Sequence, residues 1–163
     1  MGRLLYIIGV AVQLLFCLSC SKIDDNMLPS YPVYINLSTL GYWDTYGVVS
    51  PGMYRIFNKN EGVPTNYPYN ANIYTGYGGV LLVCDLFENA PRAYDMSCPV
   101  ERRADVRISV DSSNYEAVCA KCGSRYDVMS GWGAPLDGKA LSQKIGLTRY
   151  SVVKTGSGYN VVN

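Results

Sequence analysis

The sequence contains no histidine. Serine–histidine and cysteine–histidine catalysis are therefore excluded, because both use an imidazole as general base. Excess charge is also missing. The chain has 14 Lys and Arg against 13 Asp and Glu, a net charge of +1, which argues against nucleic acid as a partner. No long helical period and no internal repeat runs through the chain after its first twenty residues. Carboxylates such as Asp85, Asp95 and Asp127 sit singly beside expected strand ends, weak evidence for acid–base chemistry. The chain is not expected to be an enzyme. Phe (3) and Trp (2) are scarce, whereas Tyr (15) is abundant and interleaved with Gly and Pro, a composition that favours strands and turns. Hydrophobic residues make up 48%, which excludes a disordered chain.

The first twenty residues, MGRLLYIIGVAVQLLFCLSC, place one basic residue, Arg3, before an apolar run from Leu4 to Leu18. The run is too short to span a membrane and reads as an export signal. It ends at Leu18-Ser19-Cys20, and a small residue before a cysteine at that point resembles a bacterial lipoprotein signal. The resemblance implies that Cys20 is lipidated and becomes the first residue of the mature protein. Cys17, preceded by Phe16, is the poorer candidate, and an ordinary cleaved signal is the alternative. The expected organisation is a signal over 1–19, a tether over 20–31 and one domain over 32–163. The implied place is the cell envelope, as an outer-membrane lipoprotein on the periplasmic or surface side, with the membrane as partner through the lipid.

The remaining segments read as an all-β domain. PVYINLSTL and GMYRIF are strands, and GGVLLVCDL is an apolar run of buried-strand length. ENAP turns it back into RAYDM. ADVRISVD puts Val106, Ile108 and Val110 on one face, and YEAVC leads to Cys119. Residues Ser130 to Pro135 are expected to be loop, and LTRYSVVKTGSGYNVV a closing hairpin.

Cys119 opens the stretch CAKCGSRYD. Zinc knuckles, disulfide oxidoreductases and iron–sulfur loops all use Cys-x-x-Cys. A thioredoxin-like role is disfavoured because no helix is expected after Cys122. From Gly79 onward the chain resembles a Rieske iron–sulfur domain, with a hairpin leading to a Cys-Pro loop at Cys98, a second hairpin leading to CAKCGSRYD, a Gly/Pro loop and a last strand pair. The resemblance implies an all-β, Rieske-like fold of small antiparallel sheets with two facing loops. In cytochrome bc-type Rieske proteins the second loop reads Cys-x-Cys-His-Gly-Ser-x-Tyr-Asp, a pattern that Cys119, Gly123, Ser124, Tyr126 and Asp127 share. Ser124 and Tyr126 would then be the residues that hydrogen-bond cluster and cysteine sulfur. The departures are in the ligands. A Rieske cluster uses two cysteines on one iron and two histidines on the other. Here Val100 and Cys122 stand at the histidine positions, and Lys121 stands where the bc-type proteins have a second cysteine that forms an inter-loop disulfide.

Three candidate ligands, Cys98, Cys119 and Cys122, thus remain for a cluster that needs four. In an oxidising compartment the expected outcome is no cofactor and a disulfide from Cys98 to Cys119 or Cys122. The alternatives are an altered 2Fe-2S centre, zinc, or reduced thiols. Glu101 could add a carboxylate, although Glu101-Arg102-Arg103 reads more simply as a solvated turn. Cys84 is expected to be a core thiol, too far along its hairpin to join the site. Two functions follow. One is a non-catalytic binding or structural module with a vestigial cluster site. The other is electron transfer through an altered iron–sulfur or zinc centre. The anchor has a direct test: Cys20→Ala should release the protein from the membrane fraction or block its processing, and a variant processed and retained like the parent would refute lipidation.

Overall fold

Val80–Cys84, the centre of the apolar run, is buried along its whole length and is the strand on which one sheet is built. In the computed structural model, which describes residues 22–163, the strands are β1 Val33–Leu37, β2 Tyr54–Phe57, β3 Tyr74–Thr75, β4 Val80–Cys84, β5 Pro91–Asp95, β6 Ile108–Asp111, β7 Glu116–Cys119, β8 Arg125–Asp127, β9 Ala134–Asp137, β10 Arg149–Thr155 and β11 Gly158–Val162. The expected signal, Cys17 and Cys20 lie outside the described residues. A seven-stranded sheet runs β2-β4-β5-β10-β11-β1-β3, and a four-stranded sheet runs β6-β7-β8-β9. All the strand pairings are antiparallel. The fold is all-β, as expected, and the last hairpin closes through Thr155 opposite Gly158. Among the described residues no helix is long and apolar enough to cross a membrane.

Two cores form, one on each face of β4 and β5. Ile35, Leu37, Phe57, Leu82, Cys84 and Val161 meet in one. Leu81, Tyr94, Cys98, Cys119, Tyr126 and Leu147 meet in the other. The alternation of β4 and β5 explains the division, since successive residues of a strand face opposite sides. Val80, Leu82 and Cys84 point to the first core, and Leu81 and Val83 to the second.

Several local expectations change. The first strand stops at Leu37, and Thr39 caps a short helix, α1 Leu40–Tyr46, by accepting the Tyr42 amide at 3.2 Å. The Gly/Pro loop ends earlier than expected, because β9 begins at Ala134 and leads straight into α2 Gly138–Gln143. Cys84 pairs with Pro91, so the turn after β4 centres on Phe87-Glu88. Part of the expected tether also lies against the domain. Asp24 donates its amide to the Lys144 carbonyl and accepts that of Gly146, both at 2.8 Å. Asp25 pairs with Arg149, and Leu28 is buried.

The β4–β5 turn holds a buried ion pair. Arg92 Nη2 meets Asp85 Oδ2 at 2.7 Å, with side chains 5% and 2% exposed. Asp85 Oδ1 accepts the amides of Phe87 and Glu88, each at 2.7 Å. Burial alone would raise the Asp85 pKa, but the two amides and the guanidinium outweigh it and hold the carboxyl below its usual range. Removing Asp85 would leave the Arg92 charge buried without this partner. Asp85→Ala is expected to lose about 3–5 kcal/mol of stability in urea unfolding, the usual cost of breaking a buried pair. A loss under about 1 kcal/mol would place the pair among the weak surface bridges.

Candidate functional site

Two turns of the same design face each other at one end of the four-stranded sheet. In the first, Cys98 donates its amide to Val106 O at 2.8 Å, and its carbonyl accepts the Arg102 amide at 2.9 Å. In the second, Cys119 donates to Ser124 O and its carbonyl accepts the Gly123 amide, both at 2.9 Å. In both turns the fifth residue is left-handed, with φ 53° at Arg102 and 70° at Gly123. Glycine meets that requirement without strain, and arginine does not. Residues three after each cysteine are therefore equivalent, and they are Glu101 and Cys122.

The turns bring three sulfurs together. Cys98, Cys119 and Cys122 have their Sγ atoms all within 4.8 Å of one another. Cys98 Sγ and Cys122 Sγ are 3.6 Å apart. A disulfide would put two of them about 2.05 Å apart. The expected bridge from Cys98 is not formed in this structure, where Cys84, Cys98, Cys119 and Cys122 are all free thiols. The three sulfurs form a triangle rather than a bonded pair with a bystander.

Cys98 and Cys119 are fully buried, and Cys122 is half-buried. Their ionisation differs accordingly. Burial pushes the Cys98 thiol up to about 12, and amide donation from Glu101 and Val100 only partly opposes it. Burial would raise Cys122 as well, but hydrogen bonds from Ser124 and from the Cys119 and Cys98 thiols overcome it and bring this thiol below its ordinary value. Ser124 Oγ lies 3.1 Å from Cys122 Sγ and accepts the Ala140 amide, also at 3.1 Å. Its hydroxyl proton is thus free to donate once Cys122 is a thiolate. Tyr126 is buried with its hydroxyl 3.9 Å from Cys98 Sγ, and burial first, then Cys98, raises its pKa. Ser124 and Tyr126 thus each stand beside a cysteine sulfur.

Other expected residues divide. Val100 packs against the core beside the cysteines. Cys84 belongs to the other core, with Sγ 3.2 Å from Asn89 Oδ1, and takes no part in the site. Glu101 is not simply part of a solvated turn. Its side chain is 15% exposed and meets Lys121 Nζ at 2.5 Å. An ion pair therefore spans the two turns where the resemblance implies a disulfide. Asp127 faces away, accepting the Met129 and Ser130 amides at 3.1 and 2.8 Å. Two contributions were missed in the sequence. Asp95 accepts the amides of Tyr77, Gly78 and Ser97 and the Tyr150 hydroxyl, which positions the start of the first turn. α2 supplies the amide that seats Ser124, and Asp137 followed by Gly-Lys-Ala-Leu was its legible start signal.

No family model matches the chain, and no curated protein matches it. Among solved structures it is similar to the cyanobacterial plasma membrane Rieske protein PetC3 from Synechocystis PCC 6803, at 15% identity over 79% of this chain and 98% of that one, with a TM-score of 0.47. It is also similar to the ferredoxin of carbazole 1,9a-dioxygenase from Nocardioides aromaticivorans IC177, at 20% identity over 82% and 97% of the two chains, with a TM-score of 0.43. In this chain the two facing turns carry three thiols and no imidazole.

The unequal burial and ionisation of the cysteines set an order of reactivity. In reduced, metal-free protein a soluble alkylating reagent is expected to label Cys122 first. Cys98, Cys119 and Cys84 should follow only under unfolding conditions, because thiolate character and access govern the rate. Peptide mapping of a short exposure checks this, and early labelling of Cys84 would contradict its place in the core.

Proposed function

We propose that the chain is a cell-envelope lipoprotein, anchored through Cys20, whose Rieske-like domain is a non-catalytic binding or structural module without a histidine-ligated 2Fe-2S cluster. The observation that carries this reading is the ligand set at the facing turns. Cys98 and Cys119 are converged and buried, as the ligands of an inner iron would need to be. The outer iron would have Cys122 alone, because Val100 offers no donor atom and its side chain packs into the core. A Rieske cluster requires two protein donors on that iron, supplied in the family by histidines, so one is missing here. The residues present do not fit the cluster.

The non-catalytic part rests on the absence of a nucleophile–base pair among the described residues. The sulfurs have hydroxyls and amides around them and no carboxylate or imidazole within the group. The module reading is supported further by the ion pair Lys121–Glu101, which spans the two turns without the sulfurs themselves being linked. Electron transfer through an altered cluster is the second reading, and the observation in its favour is that the three sulfurs converge unbridged.

Protein purified anaerobically from its own membrane fraction decides between them. The module reading expects a colourless preparation with no acid-labile sulfide. Iron and sulfide at about two equivalents each, with visible absorption, would refute it and establish the electron-transfer reading.

A further inference from the structure

We infer that Cys98, Cys119 and Cys122 bind a single zinc ion as thiolates, with Glu101 as the fourth donor. The inference rests on the reading that no cluster is built here.

The sulfur spacing fits one ion. Zinc–thiolate bonds are about 2.3 Å, so tetrahedral coordination places sulfurs about 3.8 Å apart. The 3.6 Å between Cys98 and Cys122 and the 4.8 Å bound on all three pairs straddle that edge. The donor set fits as well. Zinc accepts thiolate and carboxylate oxygen in the same tetrahedral site and needs no redox chemistry.

Glu101 is singled out by its position. It stands in the first turn where Cys122 stands in the second, three residues after the cysteine. A Cys-x-x-Cys turn and a Cys-x-x-Glu turn would thus hold one ion between them. The Glu101 side chain is largely buried, and its partner is the Lys121 ammonium, 2.5 Å away and itself about half exposed. Lys121 lies between Cys119 and Cys122, so the pair brings the carboxylate to the second turn, outside the group of three close sulfurs, and Glu101 would turn to the metal on leaving Lys121. Its partner is a mobile, hydrated cation that can withdraw to solvent when a metal takes the carboxylate. The resting ion pair then stands in for the metal, neutralising Glu101 while the site is empty of charge. Beyond the donors, the Val100 and Glu101 amides supply hydrogen bonds to the Cys98 sulfur, and the Ser124 hydroxyl, which accepts from the Cys122 thiol, would donate to it once it is a thiolate. Such outer contacts orient thiolates for a metal.

The test uses the chain with its processed amino terminus, kept reduced with a non-thiol reductant. Zinc is titrated against a chromophoric chelator, and cobalt(II) serves as a spectroscopic probe of the same site. One equivalent of zinc per chain is expected, with thiolate-to-cobalt charge-transfer bands. Cys122→Ser should weaken zinc by more than about 100-fold and Glu101→Gln by about 10- to 100-fold, given the scale of even outer-contact losses. Cys84→Ser should leave affinity unchanged, which controls for general destabilisation. Unchanged affinity in Glu101→Gln would overturn the carboxylate assignment. Free thiols that retain no zinc, or a Cys98 disulfide in its place, would overturn the zinc site and leave the module reading standing. Iron and sulfide at about two equivalents each would overturn both.

Discussion

The buried carboxylate of Asp95 is the constraint on which the site depends. Asp95 ends β5 and lies three residues before Cys98. Its oxygens accept the Tyr77 amide at 2.9 Å, the Gly78 amide at 3.2 Å, the Ser97 amide at 2.7 Å and the Tyr150 hydroxyl at 2.5 Å. These donors come from the turn before β4, from the chain entering the first cysteine turn and from β10. One side chain therefore fixes where the large sheet hands the chain to the smaller one. The approach is close enough to dictate composition. A Cβ on Gly78 would lie 2.0 Å from Ser97 Oγ, and one on Gly76 would lie 2.5 Å from the Tyr150 hydroxyl. The glycine-rich stretch TGYGG is thus a docking surface for a carboxylate. A buried acceptor with this many donors is costly to disturb, because each orphaned amide would lose its partner away from water.

From that junction the two cysteine turns are built separately and joined by weak forces. β6 to β9 carry the second turn, and the first is tied to them through the Ser97–Arg107 bridge and the Cys98–Val106 hydrogen bond. Across the gap there are sulfur contacts, the Tyr126 hydroxyl and the Glu101–Lys121 pair. A half-exposed ion pair contributes at most about 1 kcal/mol, far less than a covalent link closing a long loop. The site end of the molecule is consequently held by packing below the turns more than by contacts between their tips.

The large features were legible in the sequence because they depend on residue type and period. The run VLLVC gave a strand buried on both sides, and the repeating tyrosines, glycines and prolines gave an all-β chain. The spacing in CAKCGSRYD brought Cys119, Cys122, Ser124 and Tyr126 to one place. What was hidden depends on contacts between distant segments. Asp95 looked like a lone carboxylate beside a strand end because its donors lie up to 55 residues away. Glu101 looked solvated because its partner Lys121 belongs to the other turn. α2 was missed although Asp137 marks its start, since six residues are too few to show a helical period. The docked stretch at Asp24 and Asp25 read as a polar tether, because Asp24 docks through backbone groups and Asp25 through a side chain 124 residues away, neither of which composition reveals.

The matching backbones of the two turns separate the scaffold from what it carries. Amide, carbonyl and left-handed residue recur in each turn, and none of these roles depends on the side chains at 100, 101, 121 and 122. Substitution at those four positions would therefore change the donors that the turns present without removing any of the backbone hydrogen bonds that shape them.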